Sequence, residues 1–141
     1  MHIVIDLDGT VVNDYGKDVR PGKREFIARL RLAGHEVSMW ADSMRDRALR
    51  ILEAHGLTGC FHVIVCREDY DADGHARDKD IRIINGDVLI DDDELEVRYI
   101  TKIGRHGMLV PRFTNARLLP ANECDGWWAW LMDADRGGRQ R

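Results

Sequence analysis

Asp6 and Asp8 are the residues of this chain whose type and spacing point most directly to chemistry. They stand in the run Ile3-Val4-Ile5-Asp6-Leu7-Asp8-Gly9-Thr10. Three apolar residues make a short buried strand, and Gly9 and Thr10 break it into a turn. Residues two apart on a strand face the same way. The two carboxylates therefore converge just past the strand's carboxyl end, where open α/β sheets bind ligands. Two such charges repel unless a cation sits between them or one holds a proton. The first condition gives a metal-neutralised nucleophile, the second an acid beside a base. An ordinary strand followed by an Asp-Gly turn has the same pattern and needs no chemistry.

A second acidic junction lies at Asp87-Val88-Leu89-Ile90-Asp91-Asp92-Asp93, again an apolar strand ending in carboxylates. Hard oxygen donors of this kind suit Mg²⁺, which takes one or two protein carboxylates and leaves its other positions to water and phosphate. Asp93 and Glu94 read as the solvated acidic start of a helix, favoured by its dipole.

Together these residues resemble the haloacid dehalogenase superfamily. Its first motif is Asp-x-Asp-Gly-Thr after an apolar strand, and its fourth is a strand ending in Asp-Asp. The resemblance implies that Asp6 is the nucleophile and Asp8 the general acid/base. It also implies a Mg²⁺ held by Asp6, Asp91 and the backbone carbonyl of Asp8, with Asp92 beside them. The family places a lysine between the two acidic motifs; Lys79 stands twelve residues before Asp91 and is the one lysine between Lys23 and Lys102. The family's second motif is a strand ending in Ser or Thr, which holds a phosphate oxygen. Here that strand reads Glu36-Val37-Ser38-Met39-Trp40 and continues Ala41-Asp42-Ser43. The simplest alignment puts Ala41 at the hydroxyl position, and Ala cannot donate the bond. Ser43 or backbone amides at the next helix start remain as donors, although Ser43 reads first as a helix N-cap. The substrate phosphate is thus expected among Gly9, Thr10, Ala41, Asp42 and Ser43.

Strands and helices alternate around these motifs. Pro21 and Gly22 introduce a helix bearing Phe26, Ile27, Leu30 and Ala33, which Gly34 stops. A second helix runs from about Ser43 to Gly56, a third strand through Phe61, Val63, Ile64 and Val65, and a fifth at Met108, Leu109 and Val110. Alternation of this kind predicts an α/β fold with a parallel sheet covered on both faces. The resemblance implies a Rossmann-like three-layer sandwich, with a central five-stranded parallel sheet in the order 5-4-1-2-3. No cap domain is expected: residues 9–20 suffice only for a flap, and a short loop follows the third strand. Residues 1–141 then form one hydrolase domain, with a C-terminal helix at about 125–135 carrying Trp127, Trp128, Trp130 and Leu131.

Composition fits this picture. Apolar residues at 44% and charged residues at 33% exclude a disordered chain, and the net charge of −4 argues against a surface coated by nucleic acid. Cys60, Cys66 and Cys124 form no Cys-x-x-Cys pair and read as small buried side chains in a reducing compartment. No apolar run approaches a membrane span, and a motif starting almost at Met1 leaves no room for a signal peptide, so the cytoplasm is expected. Asp69 to Gly74 copies the start of a calcium loop, but its twelfth position is Asp80 instead of Glu, and it reads as a polar loop. The six histidines show no ligand spacing, and the tail bearing Arg136, Arg139 and Arg141 reads as a frayed terminus. The expected activity is a Mg²⁺-dependent phosphohydrolase acting through an aspartyl-phosphate. Its substrate would be a phosphorylated small molecule or a nucleic-acid end. The alternative is a phosphoryl-receiving or Mg²⁺-binding regulatory module that lacks turnover, a reading that Ala41 keeps open.

Overall fold

The computed structural model describes residues 1–137. Five strands, β1 (His2–Asp6), β2 (Glu36–Trp40), β3 (Ile64–Val65), β4 (Val88–Asp91) and β5 (His106–Leu109), form one sheet in the order β3-β2-β1-β4-β5. All its pairings are parallel. Read from the other edge, this is the expected 5-4-1-2-3 order of a Rossmann-like fold. Helices α1 (Lys23–Leu32), α2 (Arg45–Ala54), α3 (Arg67–Tyr70), α4 (Glu94–Lys102) and α5 (Glu123–Gly137) surround it.

The central strands are buried on both faces, which is why they read as unbroken apolar runs. Ile3 and Ile5 face a core shared with Phe26, Leu30, Leu52 and Trp127, drawn from α1, α2 and α5. Val4, on the opposite face, packs with Leu89, Trp40, Ile81 and Ile100, the last from α4. The register sets the site: Ile5 pairs with Ile90, so Asp6 and Asp91 leave neighbouring strands at the same level. Because the chain crosses to β2 on one side of β1 while β4 lies on the other, this is the switch point where such sheets open a crevice.

Neither connection beside the site holds a cap domain. After β1 the chain makes a small hairpin in which Val12 bridges both Asp8 and Val19, closed by a 3₁₀ turn at Asp14–Gly16. The stretch after β3 is more structured than the expected short loop: α3 gives one helical turn, residues 71–80 are irregular, and a 3₁₀ turn follows at Ile81–Ile84.

Other boundaries also move. β3 is confined to Ile64 and Val65, because Phe61 lies just past a 3₁₀ turn at Thr58–Cys60 and packs from a loop. α2 begins at Arg45 with Met44 at its cap, so Ser43 is not the cap residue. α5 extends through Gly137, placing Arg136 in its last turn; Arg139 and Arg141 of the expected frayed tail lie outside the described residues. The cysteines are free, with Cys66 buried and the other two half-buried. Among the described residues no helix is long and apolar enough to cross a membrane.

Candidate active site

Gly9 makes the first acidic junction compact. Its φ is +80°, and a Cβ there would lie 2.5 Å from the Asp92 carboxylate. Only glycine takes this conformation without strain while leaving room for a carboxylate. The turn consequently closes against β4, and Thr10 Oγ1 lies 3.0 Å from Asp6 Oδ2 and 3.1 Å from Asp92 Oδ1, its one proton available to either. Carboxylate oxygens of Asp6, Asp91 and Asp92 all lie within 4.8 Å of one another.

Lys79 neutralises part of this cluster. Its Nζ donates to Asp6 Oδ1 at 2.6 Å and to Asp91 Oδ2 at 2.9 Å, and all three side chains are at least 93% buried. Burial alone would push the lysine's pKa down, but the two carboxylates outweigh it and raise it well above the ordinary value. Burial raises the Asp6 carboxyl; Lys79 opposes the rise, and Asp91 adds to it. The irregular stretch that carries Lys79 is pinned by Glu96 of α4, whose carboxylate accepts from the Lys79 backbone N–H at 2.8 Å. Asp93 caps α4 through Leu95 N–H, and its own N–H donates to Asp91 Oδ1 at 2.9 Å. That bond orients Asp91 from behind.

Asp8 sits further out, on a half-exposed rim. Both its oxygens are bonded by Arg47 of α2, at 2.7 Å and 2.9 Å. Arg112 joins Asp92 (3.3 Å) to Asp14 of the hairpin. The resulting cleft, about 490 Å³, includes Asp6, Asp8, Asp42, Ser43, Lys79 and Asp91 in its wall.

The remaining expected phosphate contacts divide. Ala41 is fully buried in the core, its N–H bonded to Val65 O, and it does not line the cleft. Asp42 lines it but accepts from Arg67 (3.0 Å) and the Tyr70 hydroxyl (2.9 Å). Ser43 lines it with a buried hydroxyl that has no partner. Gly9 and Thr10 belong to the turn beneath the carboxylates. Arg47 and Arg112 carried no signal in the sequence: Arg47 is one of three arginines between 45 and 50, and Arg112 stands between Pro111 and Phe113.

The carboxylates of the Asp69–Gly74 stretch are engaged within the protein: Asp69 accepts from Cys66 N–H and from Arg45, Asp71 from His75 N–H, and Asp73 from Arg77. None of them belongs to the cluster able to hold a metal.

No protein-family model and no curated protein sequence matches the chain. Solved structures do. It is similar to D,D-heptose 1.7-bisphosphate phosphatase from B. bronchiseptica complexed with magnesium and phosphate, with a TM-score of 0.61 and 20% identity over 85% of this chain and 88% of that one. It is also similar to the core domain of a putative phosphoglycolate phosphatase from Streptococcus pneumoniae, with a TM-score of 0.59 and 18% identity over 91% and 94% of the two chains. A third likeness is to a chain of the Pnkp1/Rnl/Hen1 RNA repair complex, with a TM-score of 0.58 and 16% identity over 77% of this chain. This chain spans only 41% of that one. The chain therefore shares the α/β fold of these solved structures, with the five-stranded parallel sheet that its motifs implied.

Proposed function

We propose that this chain is a phosphoric monoester hydrolase of the haloacid dehalogenase type, a single domain over residues 1–141 that depends on Mg²⁺ and forms an aspartyl-phosphate on Asp6. The observation that carries the reading is the convergence of Asp6, Asp91 and Asp92 within 4.8 Å, with the Lys79 ammonium bonded to two of them. A buried cluster of three carboxylates and one ammonium keeps an excess of negative charge. Its all-oxygen donor set fits a hard divalent cation. Asp6, Asp91 and Asp92, with the Asp8 carbonyl, would hold Mg²⁺, which supplies Lewis-acid neutralisation of phosphoryl oxygens.

The chain's own residues do the rest. Asp6 Oδ attacks phosphorus, the bond to the ester oxygen breaks, and Asp8 gives that oxygen its proton. Asp8 then takes a proton from the water that attacks the acyl phosphate, and Asp6 is released. Lys79 stabilises both the Asp6 carboxylate and the charge on the transferring group. For the missing motif hydroxyl, the buried, unpartnered Ser43 Oγ in the cleft wall favours Ser43 over Ala41 as the phosphate-oxygen donor. Substrates are a phosphorylated small molecule or a nucleic-acid end, and the free cysteines agree with a cytoplasmic setting.

The test is turnover of nitrophenyl phosphate with and without Mg²⁺, followed by a panel of phosphorylated metabolites and 3′- or 5′-phosphorylated oligonucleotides. Asp6→Asn should abolish turnover and leave the fold intact. Parent-like activity in that variant refutes the mechanism, and absence of any Mg²⁺-dependent turnover by the parent across the panel favours the regulatory module instead.

A further inference from the structure

Asp8 has a partly exposed carboxylate and, among the described residues, one bonded partner. Its backbone is fixed by the bridge to Val12, but its side chain reaches the cleft rim about one third exposed. Among the described residues the only side chain bonded to that carboxylate is Arg47, in the first turn of α2. The contact is a two-pronged one, Nη1 to Oδ2 at 2.7 Å and Nη2 to Oδ1 at 2.9 Å. A planar guanidinium in this geometry fixes the plane of a carboxylate, as an ammonium does not. The pair is too exposed to contribute much to stability, so its strength is not needed to hold α2 against the sheet.

We propose that Arg47 is a positioning residue for the leaving-group half of the reaction, holding the Asp8 carboxyl on line with the departing ester oxygen. The inference rests on the reading of Asp8 as proton donor given above. In the free protein both Asp8 oxygens are engaged. The ester enters as its monoanion and displaces one N–H; the freed Asp8 oxygen takes the ester's phosphoryl O–H proton and faces the leaving oxygen, while the other oxygen stays anchored. The proton passes to the leaving oxygen as its bond to phosphorus breaks, and the carboxylate left behind regains both guanidinium bonds. It is then oriented to accept the proton of the attacking water.

Arg47 acts through Asp8, so its loss should scale with how much the leaving group needs a proton. A nitrophenolate departs with little help, whereas an alkoxide does not depart without it. The experiment measures kcat and KM of the parent, Arg47→Ala, Arg47→Lys, Asp8→Asn and the Asp8→Asn/Arg47→Ala double variant on nitrophenyl phosphate, phenyl phosphate and an alkyl phosphate. The expected result is a kcat loss for Arg47→Ala that is at least about tenfold greater on the alkyl ester than on the nitrophenyl ester. Misplacement of a reacting group by about 1 Å can cost about 100-fold. Arg47→Lys should recover part of the loss, and the double variant should be no slower than Asp8→Asn alone, because the two residues act as one unit.

Equal losses across the three esters, or a rise in KM alone for all of them, would overturn the proposal; the latter would assign Arg47 to direct binding of the phosphate. Additive losses in the double variant would do the same. If Asp8→Asn itself shows no dependence on the leaving group while Asp6→Asn is dead, the acid role of Asp8 fails, whatever Arg47 does. Circular dichroism of each variant separates these kinetic results from misfolding.

Discussion

Glu123→Gln should be among the most damaging single changes outside the cleft. Glu123 opens α5, and its carboxylate accepts Arg20 Nε and Lys23 Nζ on one oxygen and Arg20 Nη2 on the other, each at 2.8 Å. Arg20 is 0% exposed, Lys23 1% and Glu123 9%. Both cations also lie against the Trp127 ring, Arg20 Cζ at 4.9 Å and Lys23 Nζ at 3.9 Å from its centroid. Removing the charge leaves two buried cations facing one neutral acceptor. Breaking a buried pair in this way costs about 3–5 kcal/mol. Glutamine keeps one accepting oxygen, so the lower end, about 3 kcal/mol, is expected. For a domain of this size that lowers Tm by about 6–12 °C. Arg20 also bonds the carbonyls of Gly9 (3.3 Å) and Thr10 (3.4 Å), so the loosening should reach the turn that carries Asp8.

The assay is urea unfolding of parent and variant from pH 7 down to pH 3. Burial alone would raise the Glu123 carboxyl, but the bonds from Arg20 and Lys23 outweigh it and hold it below its ordinary value. Its contribution is therefore fully present above the unfolded carboxyl value of about 4.3 and is lost as pH falls through the depressed folded value. The glutamine variant has no such group, so the gap between the two proteins should narrow below about pH 4.3. A gap under about 1 kcal/mol at pH 7, or one that persists undiminished at pH 3, refutes the reasoning.

Two further outcomes bear on the cleft. Asp91→Ala should abolish the response of turnover to added Mg²⁺ after chelation, and in the parent Ca²⁺ should not replace Mg²⁺, because its longer, looser coordination misplaces the attacking carboxylate; titration of activity against each metal checks both. Ser43→Ala should reduce kcat/KM about ten- to hundred-fold, the worth of one hydrogen bond to a charged group. Ala41→Thr should give no gain and should destabilise by about 1–3 kcal/mol, since Ala41 is fully buried and the larger side chain overpacks the core; steady-state kinetics and thermal unfolding of the two variants decide.

The chemistry of the centre was legible along the chain because it is local. A three-residue apolar run followed by Asp-x-Asp-Gly-Thr specifies strand, turn and carboxylates within eight residues, and Val88-Leu89-Ile90-Asp91-Asp92 repeats the device. Matching the two runs side by side buries both, so the pairing of Ile5 with Ile90, and with it the approach of Asp6 to Asp91, follows from the hydrophobic pattern. What depended on distant parts was not legible. Residues 71–80 have no periodicity, so Lys79 is reached only through the family resemblance; what holds it between the two carboxylates is the grip of Glu96 on its backbone. Arg47 reaches Asp8 because of how α2 is rotated against β1, which the rest of the core fixes. Arg20 and Lys23 can be buried because α5 folds over them and brings Glu123, some hundred residues later, to offset part of their charge. A charged side chain takes its meaning from the dielectric and partners around it, and only the packed tertiary structure sets those.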